Sequence, residues 1–157
     1  MSKVLIVSDW DFSLLWKEVI DRFSETNDAL IFSVLVVGRM YKPCIEACSS
    51  RAIASVDVLQ DYLEDFSDTP LDHDEIARIE REYGDPCLWK AVWADRNWVR
   101  DDYDTIRKKV IKTFQFYESL LDNKNPDIIF TNAYASMPHY IGFKVAERKG
   151  IPALRPL

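Results

Sequence analysis

The sequence predicts an α/β domain of Rossmann-like kind, with three layers, a mostly parallel sheet of about five strands and an inserted helical segment. Three observations predict it. Apolar runs of strand length recur along the chain and end in polar loops. Segments with apolar residues at helical spacing alternate with them. Glycine, proline and asparagine punctuate the boundaries. A repeated strand-helix-strand order implies parallel strands with helices on both faces. At 157 residues, the chain fits one domain, residues 1–157.

The elements follow in order. Lys3–Ser8 is apolar and too short for a helix. It ends in Asp9-Trp10-Asp11-Phe12-Ser13, after which Leu14, Leu15, Glu18, Val19 and Phe23 fall at helical spacing, with Ser13 as the expected N-cap. Ala29–Val37 is the second strand, ended by Gly38, and a helix over roughly Pro43–Arg51 follows, proline suiting its first turn. Ile53–Leu59 is a short third strand in which Val56 and Val58 alternate with Ser55 and Asp57.

Two helices are then expected, Asp72–Tyr83 and Pro86–Val99, separated by Gly84-Asp85-Pro86. In the second, Trp89 and Trp93 are read as packing residues. The spacing of Tyr103, Ile106, Val110, Phe114, Tyr117 and Leu121 predicts a long amphipathic helix ending at Asn123-Lys-Asn-Pro126. Asp127–Thr131 is the fourth strand, Pro138–Lys149 a helix with Gly150 just past its end, and Ile151–Leu154 the start of a fifth strand.

Composition excludes several classes. With 48% hydrophobic and 13% aromatic residues, the chain is not disordered. A net charge of −6 argues against general nucleic-acid binding. Ten acidic residues fall between Asp61 and Asp85 against only Arg78 and Arg81, a pattern read as a solvated face. The apolar run Ile31–Val37 is far short of the roughly 20 residues of a membrane span. Met1-Ser2-Lys3 leads straight into a strand without a leader pattern. Cys44, Cys48 and Cys87 form no disulfide framework or metal-ligand set and are read as free thiols, so a cytoplasmic location without a membrane span is expected.

In open parallel sheets, ligands bind beyond the carboxyl ends of the strands. That rule selects Ser8–Ser13, Gly38–Tyr41, Thr131–Ser136 and Arg155. Asp9 and Asp11, two apart at a strand end, have the chemistry of a base, a nucleophile or a metal ligand; the structural alternative is a turn cap and a helix-dipole partner. They are the candidate catalytic residues. The candidate substrate-binding residues are Ser8, Trp10, Ser13, Thr131, Asn132, His139 and Arg155. Trp10 either stacks on a ligand ring or packs. Thr131 and Asn132 either bind hydroxyls or make a turn. His139, in the first turn of its helix, either faces the cleft or is structural. The segment after the first strand contains no glycine, so a dinucleotide-binding fingerprint is absent.

Two stretches carry a resemblance. Ile79-Glu-Arg-Glu-Tyr-Gly84, then Pro86-x-Leu88-Trp89 and Ala94-Asp95-Arg96, together with Lys149-Gly-Ile-Pro-Ala-Leu-Arg-Pro156, resemble the amino-terminal half of capsule or surface-polysaccharide biosynthesis proteins. Those proteins are similar to glycosyltransferases with two Rossmann domains facing a cleft. The resemblance implies an acceptor-side domain, the amino-terminal half of a two-domain architecture and inactive alone. A carbohydrate acceptor or a second Rossmann domain would be its partner, and a nucleotide sugar would bind only with that second domain. It also implies that Asp9 or Asp11 deprotonates an acceptor hydroxyl, and that Asn132 and Arg155 line the cleft. Glu80, Arg81, Glu82, Asp95 and Arg96 are read as a structural ion-pair cluster.

Two alternatives stand beside it. Asp9-x-Asp11-x-Ser13 and Ile128-Ile-Phe-Thr131-Asn132 resemble the first two motifs of haloacid-dehalogenase-type phosphatases, in which the aspartates are nucleophile and acid/base and magnesium bridges them to phosphate. The other alternative is a non-catalytic binding or interaction module.

Overall fold

Val4 to Ser8 are buried in succession, which an apolar run achieves only as a central strand covered on both faces. The computed structural model describes residues 1–9, 12–47, 52–63, 70–94, 101–131 and 136–154. Its strands are β1 (Ser2–Ser8), β2 (Leu30–Val36), β3 (Ile53–Val58), β4 (Ile128–Thr131) and β5 (Ala153–Leu154). Its helices are α1 (Phe12–Thr26), α2 (Lys42–Glu46), α3 (Leu59–Leu63), α4 (His73–Tyr83), α5 (Trp89–Trp93), α6 (Tyr103–Lys124) and α7 (Met137–Lys149). The sheet order is β3-β2-β1-β4-β5, and every pairing is parallel. The fold is therefore the expected Rossmann-like α/β sandwich. Strand order reverses at β1, with β2 on one side and β4 on the other.

Strand alternation sorts the core into two layers. Val4 and Ile6 of β1, with Phe32, Val34 and Val36 of β2, pack with Trp16 and Ile20 of α1 and Ile45 of α2. Leu5, Val7, Leu35 and Ile129 face the other way, against α4, α5, α6 and α7. The long helix is as predicted: Ile106, Val110, Phe114, Tyr117 and Leu121 are buried along one stripe, while Tyr103 at its start is exposed. Asp102 caps α6 through its side chain, and Asn125, at φ 43°, closes it in the left-handed region. Among the described residues, no helix is long and apolar enough to cross a membrane.

Several local expectations are corrected. Helix α1 begins at Phe12, so Ser13 lies inside its first turn instead of capping it. The stripe that meets the sheet is Ser13, Trp16 and Ile20, whereas Leu14, Leu15 and Phe23 are 67%, 51% and 52% exposed. The helix carries two apolar stripes, and packing of Trp16 on Phe130 of β4, ring centroids 6.3 Å apart, selects the first. The expected Pro43–Arg51 helix is a 3₁₀ turn at Arg39–Tyr41 followed by the five residues of α2. The expected Pro86–Val99 helix is a 3₁₀ turn, Pro86–Leu88, and the short α5. Residues beyond Ala94, Trp98 included, lie outside the described residues. Trp89 and Trp93 are not core: Trp93 is 76% exposed, and on the surface Trp89 lies against both Trp93 and Tyr103, ring centroids 5.9 and 5.7 Å apart. Cys44 is a half-buried free thiol.

Within the first stretch that carries the resemblance, the described residues serve architecture. Ile79, Tyr83 and Leu88 are core; Gly84, at φ 64°, ends α4 in a conformation that favours glycine. The buried Asp85 carboxylate accepts from the N–H groups of Lys90 and Ala91 at 2.8 and 2.9 Å, so it caps α5 from upstream. Among the described residues, the ion-pair cluster on α4 is not the expected set of Glu80, Arg81, Glu82, Asp95 and Arg96: it shares only Glu82 with it, its hub is Arg78, and Asp95 and Arg96 lie outside those residues. The Arg78 guanidinium donates to both oxygens of Glu75, both of Glu118 and one of Glu82, at 2.7–3.0 Å. Tyr83 donates to Glu118 at 2.5 Å, and Arg148 of α7 reaches Glu82 at 3.2 Å. Three helices are thereby pinned together. Hydrogen bonds from Arg78 hold the Glu75 carboxyl below the usual carboxylate range.

Arg78→Met leaves three carboxylates without their shared cation, and stability at pH 7 is expected to fall by about 1–3 kcal/mol in urea unfolding. Because the folded pKa of Glu75 is depressed, its contribution is complete above about pH 4.3 and is lost as pH falls through the folded value. The acid limb of the stability curve should be shallower in the variant.

Candidate functional site

The reversal of strand order between β1 and β4 opens a crevice at their carboxyl ends, the position where ligands bind in sheets of this kind. Polar residues collect there. Ser8 ends β1 and Asp9 follows it; Thr131 ends β4; Ser13 comes from α1 and His139 from α7. All five are buried, Asp9 at 7% exposure.

Alternation divides them between the faces. Thr131 pairs in register with Val7 and shares its face, toward α6 and α7. Ser8, one residue on, points toward α1, where its hydroxyl lies 3.0 Å from that of Ser13. This bond ties the end of β1 to the first turn of α1. Asp9 follows just beyond the end of β1, and its charge acts on the hydroxyl of Tyr117 in α6. Of the other candidates, Trp10, Asp11, Asn132 and Arg155 lie outside the described residues.

Tyr117 is the site residue that sequence reasoning missed, since within an apolar stripe it reads as core. It stands seven residues from the end of α6, about 10 Å along the axis, which brings it near the top of four-residue β4. Its ring lies against α7 at Gly142. A Cβ there would stand 2.8 Å from Tyr117 Cε1 and 2.9 Å from Cζ, so only glycine permits this approach. The one available signal was a glycine inside a predicted helix, which marks close contact without naming the partner. Tyr117 is fully buried; first desolvation and then the Asp9 charge push its pKa up, so the phenol stays protonated.

His139 is held from below. Ser136, at the N-cap of α7, makes no side-chain cap bond; its hydroxyl lies 2.6 Å from His139 Nδ1. Burial pushes the imidazole pKa down to about 4, so it is neutral at pH 7. Among the described residues, the buried polar set contains no lysine or arginine and no group of three potential metal ligands. Among the described residues, the crevice combines one carboxylate, several hydroxyls and a neutral imidazole. A separate open hollow of about 540 Å³ lies at the opposite rim, among Met1, Asp21, Ser24, Glu25, Asn27 and Asp28. It sits at the amino ends of the strands, away from the switch in strand order.

No protein-family model and no curated protein matches the sequence. Among solved structures, the chain is similar to the C-terminal domain of the PF1911 hydrogenase from Pyrococcus furiosus. In two crystal structures of that domain the TM-score is 0.51 at 11% and 12% identity, covering 99% of this chain and 91% of that one. It is also similar to the glycosyltransferase VinC, solved in complex with DTDP, with a TM-score of 0.48 at 16% identity. That match covers 98% of this chain and 34% of VinC. At these identities the likeness is one of fold.

Gly142→Ala drives a methyl group into the Tyr117 ring and is expected to cost about 1–3 kcal/mol in chemical denaturation. His139 supplies a pH signature. Its folded pKa lies below its unfolded value, so the unfolded chain binds the proton first. Stability is complete above about pH 6.5 and falls as pH drops toward 4, by roughly 2–3 kcal/mol. In His139→Gln, that part of the slope should disappear.

Proposed function

We propose that this chain is the acceptor-side domain of a glycosyltransferase-like protein of surface or capsular polysaccharide biosynthesis, working in the cytoplasm. Asp9 takes the proton from an acceptor hydroxyl as that oxygen attacks the anomeric carbon of a donor sugar. The nucleoside diphosphate leaves with the bonding electrons, held by a second Rossmann-like domain. On this reading, the chain alone does not catalyse transfer, and Asn132 lines the same cleft.

One observation carries the proposal: a buried carboxylate stands at the β1–β4 switch point among hydroxyls, with no buried lysine or arginine among the described residues. A site for a phosphorylated donor needs cations, glycine-rich backbone or a metal to offset its charge. A site for a neutral sugar hydroxyl needs an acceptor of protons and a lining of donors. The substrate class is proposed from the resemblance of residues 79–89 and 149–156 to polysaccharide biosynthesis proteins.

Calorimetric titration of the chain with UDP and GDP is expected to show no binding tighter than millimolar; micromolar affinity would contradict the division of labour. The phosphatase reading is separated by incubation with magnesium and p-nitrophenyl phosphate. Wild type and Asp9→Asn should both be inactive. Phosphate release by wild type that vanishes in Asp9→Asn would replace the transferase proposal.

A further inference from the structure

We draw no further inference here: the strongest candidate, the exposed surface patch of aromatic rings that Trp89 and Trp93 of α5 form with Tyr103 at the start of α6, is an apolar face, and nothing in the structure shows what covers it.

Discussion

β1 is hydrogen-bonded in parallel to β2 on one side and to β4 on the other, and the functional account depends on that double pairing. Because the chain must cross from β3 to β4 over the opposite face, the helices divide into two layers and the loops after β1 and β4 diverge. The crevice between them follows from connectivity and would exist for many sequences of this topology. What this sequence adds is the set of residues placed there. Ser8 and Asp9 are adjacent at the end of β1. One becomes a tie to α1, the other a buried carboxylate just beyond the strand.

The same topology explains how a polar site persists beside an apolar core. Asp9, Thr131 and His139 are as buried as the aliphatic residues beneath them. Some polar partners are supplied locally, Ser13 to Ser8 and Ser136 to His139. Beside them α6 approaches α7 closely, which Gly142 permits, and the Arg78 cluster joins α4 to α6 and α7. An ion-pair hub and one glycine thus help set how the helices pack beside the crevice.

Much of this was legible in the sequence because it depends on local pattern. The strands, the long helix and the rule that places sites at carboxyl ends led to Ser8, Asp9, Ser13, Thr131 and His139. What was not legible depends on choices made between elements. Leu14 and Leu15 have the spacing of a buried face as fully as Trp16 and Ile20 do; only contact with Phe130 and Ser8 chooses between them. Tyr117 reads as one more apolar position until Gly142, on another helix, shows how closely its ring is held. The tryptophans of α5 read as core because the expected helix was long. In a five-residue helix they have no layer to enter, and they stack on the surface instead.

The central claim is that the carboxyl rim between β1 and β4 recognises sugar hydroxyls. Amide chemical-shift mapping of the ¹⁵N-labelled chain, titrated with a panel of neutral monosaccharides, tests it most directly. The account predicts shifts concentrated at Ser8, Asp9, Thr131 and the first turn of α7. Shifts centred on Asp21, Glu25 and Asp28 at the opposite rim, or none with any sugar, would contradict it.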